Sequence, residues 1–358
     1  EHLWGHDVCT FEGATGDEVA NRYPTQYLRA YHTFLRGQGH ERPLVFSRAG
    51  SRGSQAYPAH WAGDEDSTWA AYRASLTAGL SAGASGVAFW GWDIAGFSGE
   101  LPSAELYMRA TAMAAFCPVM QYHSEHNEFR EPLADRTPWN VAEQRSDRTV
   151  VEVYRFYARL RMNLVPYLQS LGLGVTRTGS PMMQAMALAC PGEREAEGID
   201  DQFMLGPDLL VAPVLEPGAT EREVYVPDGE WWDLWDGERV APGWSTRHAP
   251  LDRIPVLVRG GACVALWMPA STELGAAVGL PAPGQGRLVL MAFPGRRRSE
   301  VVDPLTGESF AVTLTPDGDE FAVACEGAPM GVSLWLRGVS REGIEVSLPT
   351  GDARISVG

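Results

Sequence analysis

Three segments of the sequence pair a short apolar run with residues that can donate, accept or titrate. The first is Phe46-Ser-Arg-Ala-Gly50 followed by Gln55-Ala-Tyr-Pro-Ala-His-Trp-Ala-Gly-Asp64. The second is Phe89-Trp-Gly-Trp-Asp-Ile-Ala-Gly-Phe97, and the third is Pro118-Val-Met-Gln-Tyr-His123. Acetal cleavage needs two carboxyl groups, one to protonate the leaving oxygen and one to attack the anomeric carbon or activate water. Asp64 lies beside Trp61, and a carboxyl desolvated by aromatic rings has its pKa raised toward the range useful for an acid. Gly63-Asp64 is equally good turn chemistry, and taken alone the turn reading has the edge. The chain holds 12 Trp, several beside Gly and Asp, and Trp faces flanked by carboxylates suit sugar rings. For Trp231, Trp232 and Trp235 a core role is the better reading.

Elements must carry these residues to one place. The pattern predicts a helix over 26–36, a buried strand over 44–47, and a helix in which Trp69, Tyr72, Leu76 and Leu80 recur after an Asp66-Ser67 cap. A strand over 86–90, a helix over 105–116, a strand-like stretch over 117–120 and one long helix from Val150 to Leu168 follow. Repeated strand–helix units imply a parallel sheet. Arg48, Asp93 and His123 sit just past strand ends, where a (β/α)8 barrel gathers its active site. About four units fit before residue 180, half a barrel. Beyond 181, short alternating runs with Gly, Pro and Asp turns read as antiparallel β-sandwich. The Ala/Gly/Pro-rich stretch 267–285 reads as a joint between two β modules. The expected fold class is α/β plus all-β, divided as 1–180, 181–268 and 269–358.

The 358 residues are 45% hydrophobic and 21% charged, with a formal net charge of −16. That charge speaks against nucleic acid or a membrane surface as partner and is compatible with a neutral substrate. Five scattered cysteines without C-x-x-C spacing argue against a disulfide framework or thiolate zinc site and favour a reducing, cytoplasmic compartment. His2-x-x-x-His6 and His123-x-x-His126 have metal-like spacing but no accompanying carboxylate pattern, so neither metal nor cofactor is expected. Homo-oligomerisation stays open.

The string His60-Trp-Ala-Gly-Asp64 after Ser47-Arg48, then Trp92-Asp-Ile-Ala-Gly-Phe97, resembles glycoside hydrolase family 31, the family of retaining α-glucosidases and α-xylosidases. Asp200-Asp-Gln-Phe-Met-Leu-Gly-Pro-Asp-Leu-Leu-Val-Ala-Pro-Val214 is similar to that family's entry into its C-terminal β domain. The resemblance runs from residue 1 to about 265. It implies a small-molecule oligosaccharide or glycoside as substrate, with a terminal α-glucoside the first expectation. It also implies Asp64 as general acid/base, with Arg48, Trp61, Asp93 and His123 lining the sugar subsite. Phe97 is placed there too, with packing an equal alternative. An Arg48–Asp93 ion pair and a core-satisfied His123 are the structural alternatives.

The chain departs from that pattern in three places. The family's nucleophile is an aspartate in an Asp-x-x-Glu-like motif, and Glu1 resembles the residue ending it, so the nucleophile is expected upstream. Asp7 lies beyond the motif and is not assigned the role. The chain alone is expected to be inactive, since removing a nucleophile costs orders of magnitude in rate. Ala95 stands where a Gly is common, and Gln121 where many α-glucosidases carry Arg before the His. The latter leaves xyloside, galactoside and sulfosugar specificities open. A non-catalytic carbohydrate-binding protein built on the same scaffold is the competing reading.

Overall fold

In a computed structural model, the described residues are 7–356 apart from 58, 124–133, 319, 341, 349–350 and 352. The expectations placed on Glu1, His2, His6 and His126 lie outside them.

Four chain segments form a parallel array. Ser47 bridges His60, the strand His60–Trp61 pairs with Trp90–Gly91, and Asp93 bridges Gln121. The hydrogen bonds run from Ser47 N to Ala59 O (3.0 Å), His60 N to Phe89 O (2.9 Å) and Val119 N to Trp90 O (3.1 Å). Helices Trp69–Ala84 and Ala104–Ala114 lie between the second and third and the third and fourth segments, as strand–helix repeats require, while Tyr23–Gly37 precedes the first and only the short turn Ser54–Ala56 separates Ser47 from His60. The strands are shorter than the apolar runs suggested. Leu44 is 70% and Phe46 42% exposed, so the 44–47 segment is an open edge and not a buried strand.

Helix signals were also misplaced in two instances. Thr68 caps Trp69–Ala84, its Oγ1 accepting from Ala71 N at 3.1 Å, in place of Asp66-Ser67. The long helix from Val150 is two, Thr149–Asn163 and Val165–Thr178, divided at Leu164, with Pro166 in the first turn of the second. A proline fits there because the first-turn N–H has no intrahelical partner to lose.

The helical part and the β part share one core. Tyr72, Leu76, Tyr107, Phe116 and Tyr157 pack in the same buried cluster as Phe203, Val256 and Leu266. Arg109, 3% exposed on the Ala104–Ala114 helix, donates across the junction to the carbonyls of Ala219 (2.6 Å), Pro250 (2.8 Å) and Ala249 (2.9 Å). The next layer is an antiparallel sheet ordered Met183–Ala185, Phe203–Leu205, Leu209–Val211, Val256–Arg259, Trp231–Asp233, Arg239–Val240, with Glu221–Val226 and Gly243–His248 as a separate pair. Trp231 is fully buried in this layer, while Trp232 and Trp235 pack at its rim.

The distal layer is two four-stranded sheets, Cys263–Met268 with Arg287–Ala292, Ser333–Leu336 and Ile344–Ser347, and Arg297–Val302 with Ser309–Asp317, Glu320–Glu326 and Ala353–Ser356. Cys263–Met268 and Arg287–Ala292 are antiparallel neighbours, so 267–285 is a hairpin connection and not a joint between modules. One pair, Arg287–Ala292 with Ser333–Leu336, is parallel within this otherwise antiparallel layer. Cys263–Met268 is buried on both faces. Val264, Leu266 and Met268 enter the core shared with the helices, while Cys263, Ala265 and Trp267 enter the core between the distal sheets. Period-two alternation thus lets one strand serve two cores.

Candidate active site

The same ends of the parallel segments deliver the polar residues. Arg48 is one residue past Ser47, Asp64 three past Trp61, Asp93 two past Gly91, and Gln121 and His123 follow Val119. Gly63 makes the first approach feasible. Its φ is +114°, a conformation that favours glycine, and an added Cβ would sit 3.1 Å from Arg48 Cδ and press on the Arg48 stem. Arg48 Nη1 then donates to Asp64 Oδ2 at 2.7 Å, with both side chains about half exposed. Arg48 therefore pairs with Asp64, and the alternative Arg48–Asp93 pair is not formed.

Asp93 is fully buried. Its Oδ1 accepts from Gln121 Nε2 at 2.7 Å, and its Oδ2 has no hydrogen-bond partner. Burial raises this carboxyl above its ordinary range; the Gln121 hydrogen bond and the charges of His123 and Arg136 pull it back, against Asp64. A buried carboxylate oxygen without a partner at a strand end has the acceptor capacity a sugar hydroxyl would use. His123 is exposed and edge-on to half-buried Phe97, ring centroids 5.1 Å apart. Trp61 is half-buried against Phe46 at 5.0 Å. Arg48 and Trp61 border an open hollow of about 650 Å³ that also takes in His60 and Trp90.

The loops beyond the two central strands are clipped together. Phe97 N and Ser98 N both donate to Glu65 O, at 2.7 and 3.1 Å, and Ser67 N donates to Ser98 O at 3.2 Å. Fully buried Arg136 secures the same loop through Ser98 O (2.6 Å), Gly99 O (3.1 Å) and Ser67 Oγ (3.0 Å). Gly96 touches this seam. Its φ is +96°, and a Cβ would lie 2.7 Å from the Asp66 carbonyl and Ser67 Cα. Ala95, standing where glycine is common in the resembled motif, is held at φ +60°. That conformation is one in which Gly is unstrained and Ala is not.

Sequence reasoning missed Glu65 and Arg136, and noted Gln121 without its role. Glu65 is half-buried, and burial, reinforced by Asp93 and Asp64, pushes its carboxyl up to about 7. The acidic run Asp64-Glu65-Asp66 was the available signal. Among the described residues no group of three His, Cys, Asp or Glu is arranged to hold a metal ion, and no helix is long and apolar enough to cross a membrane. A separate cleft of about 350 Å³ lies between Val165–Thr178 and Arg297–Val302. Its charges are mutually paired, Asp208 with Arg297 at 2.9 Å and Arg177 with Glu300 at 3.5 Å.

Residues 5–171 match the glycosyl hydrolases family 31 TIM-barrel domain, and residues 179–264 match the glycosyl hydrolase family 31 C-terminal domain. A 1,3-alpha-isomaltosidase from Kribbella flavida is 51% identical over 259 residues, 72% of this chain and 36% of that protein. The cycloalternan-forming enzyme from Listeria monocytogenes, solved with a pentasaccharide substrate, has a TM-score of 0.88 at 37% identity, covering 93% of this chain and 32% of its own. The cycloalternan-degrading enzyme from Trueperella pyogenes, solved with a covalent intermediate, has a TM-score of 0.70 at 49% identity, covering 73% and 36%. The chain thus spans about a third of the length of each of these proteins. With barrel and C-terminal domains both matched, the chain belongs to glycosyl hydrolase family 31.

Proposed function

We propose that the protein carrying this chain is a retaining, exo-acting α-glycosidase in which Asp64 is the general acid/base. The observation that carries this reading is the placement of Asp64, half-exposed and held by Arg48, one strand end away from buried Asp93 with its free Oδ2. In the first step Asp64 protonates the leaving glycosidic oxygen, and in the second it takes the proton from water. Asp93 accepts hydroxyls of the sugar being cleaved, while Trp61, Phe97 and His123 border it. No residue of this chain is assigned the nucleophile's role; the chain spans about a third of the length of its relatives.

The likeness to a 1,3-alpha-isomaltosidase makes an α-1,3-linked isomaltosyl unit the first substrate to try. Likeness to a cycloalternan-forming enzyme keeps transfer of the glycosyl unit to a second sugar as the second reading, in place of hydrolysis. The test is a panel of α-glycosides assayed with the whole protein and with Asp64→Ala. Cleavage with retention, slowed in the variant and restored by azide, supports the assignment; an unchanged Asp64→Ala removes it. Product analysis in the presence of an acceptor sugar separates hydrolysis from transfer.

A further inference from the structure

Glu65 is not used by the chemistry just described, yet it sits directly behind it. Its backbone carbonyl holds Phe97 N and Ser98 N, joining the loop that carries Asp64 to the loop that follows Asp93. Its side chain points inward. Oε1 lies 3.5 Å from Ser75 Oγ on the Trp69–Ala84 helix, and Oε2 is buried without any hydrogen-bond partner. The charged groups acting on it are Asp93 from the neighbouring strand end and Asp64 from its own loop, both of the same sign. Of the cations nearby, Arg48 is paired with Asp64 and Arg136 donates to the carbonyls of Ser98 and Gly99. A third negative charge in this cluster has no counter-ion, and the hydrogen bonds from its own backbone N–H and from Ser75 offset its burial only in part, whereas a neutral carboxylic acid needs no counter-ion.

We propose that Glu65 is a positioning residue for Asp64, working as a neutral acid that keeps the clip between the two loops shut, and that its ionisation loosens that clip. This rests on the assignment of Asp64 as acid/base. Ionised Glu65 turns from its buried position toward water, and the move is transmitted to its own carbonyl and to the adjacent Asp64. Glu65 therefore has to be protonated in addition to Asp64, and burial pushes its carboxyl up to about 7.

The discriminating experiment is the pH profile of kcat/KM for the whole protein with and without Glu65→Gln, which fixes the neutral form. Wild type is expected to lose activity along an alkaline limb that steepens toward two protons. Glu65→Gln should keep activity within about threefold near pH 6 and fall along a one-proton limb. Superimposable profiles overturn the proposal. Failure of the Asp64 assignment reads out separately, as Asp64→Ala without azide rescue.

A second measurement needs no turnover. Folding lifts this carboxyl from 4.5 to about 7, so the folded chain holds the proton more tightly than the unfolded chain. The stability it contributes is present below 4.5 and is lost as pH rises toward 7. The denaturation midpoint of Glu65→Gln should thus rise relative to wild type over that interval. A constant offset between the two overturns the inference. If Glu65→Gln does not fold, a glutamate carboxyl of wild type seen by 13C NMR to titrate near 7 sustains it, and all glutamates titrating near 4.5 overturn it.

Discussion

Arg48 Nη1 and Asp64 Oδ2 meet at 2.7 Å from two different strand ends, in a pair about half open to solvent. An exposed ion pair contributes only about 0–1 kcal/mol to stability. Its value under the proposed assignment is positional, because the guanidinium fixes where the Asp64 carboxyl points. Arg48→Ala is expected to change stability by less than about 1 kcal/mol while lowering kcat/KM of the whole protein about 10- to 100-fold. Denaturant melts beside steady-state kinetics check the split, and parallel losses in both would contradict it.

Asp64→Ala should lower kcat for glycosides with poor leaving groups by roughly 10²- to 10⁴-fold, the usual contribution of a positioned general acid. Substrates whose leaving group needs no proton should lose far less. Comparing an aryl glycoside bearing an acidic phenol with a natural oligosaccharide gives the measurement. Equal losses on both would remove the acid role.

Gln121 is the neutral counterpart of the Arg common before this histidine, and its amide satisfies one oxygen of a fully buried carboxylate. Gln121→Leu retains the volume and strands Asp93 Oδ1, at a cost of about 1–3 kcal/mol. It also removes the hydrogen bond that lowers the Asp93 carboxyl, so that group should titrate higher. Substrate affinity in the variant is then expected to fade on acidification sooner than in wild type, as a rise in KM toward low pH.

That the segments carrying the candidate residues lie side by side was legible in the sequence, for reasons that differ by residue. Asp64, Asp93 and His123 stand in segments whose residue types are tied to chemistry, and the helices that separate them show clear 3.6-residue periodicity. Glu65 was not legible, because an acidic residue following Asp64 reads as a solvated turn until the Trp69–Ala84 helix is seen to cover it. Arg136 was missed because its carbonyl partners are about 40 residues distant in sequence. The 267–285 stretch has the composition of a linker, yet strand pairing on either side makes it a hairpin loop. Composition reports that a segment is irregular but not which strands its ends must join. The same limitation put the 44–47 run in the interior, since an apolar run does not reveal whether a neighbouring strand covers it.

Gly96 lies against the seam between the two clipped loops with φ +96° and no room for a methyl. Gly96→Ala combines the left-handed penalty of about 1–2 kcal/mol with a backbone clash, so a loss of about 2–4 kcal/mol is expected. Ala95→Gly relieves the left-handed strain but surrenders a buried methyl and adds unfolded-state freedom. It should change stability by less than about 1 kcal/mol. Thermal melts of the two variants test whether the seam and not merely the sequence motif sets the requirement.

Arg109 spans the junction between the helical part and the first β layer, and burial works against its charge, lowering its pKa. The charge is tolerated because three close carbonyls, from Ala219, Ala249 and Pro250, converge on its two terminal nitrogens. Hydrogen bonds to a charged donor are worth about 1.5–3 kcal/mol each, and of the carbonyls left behind that of Ala249 is buried and those of Ala219 and Pro250 partly so. Arg109→Met should therefore destabilise the chain by at least about 3 kcal/mol, although methionine fills much of the space. Arg109→Lys should recover little, since a single ammonium cannot reproduce the planar fork that reaches both sides of the junction. Because the core is continuous across this boundary, the loss should appear as a lower midpoint of one cooperative transition. Two resolved transitions, with the β part unaffected by the substitution, would show instead that the junction is not part of the cooperative unit.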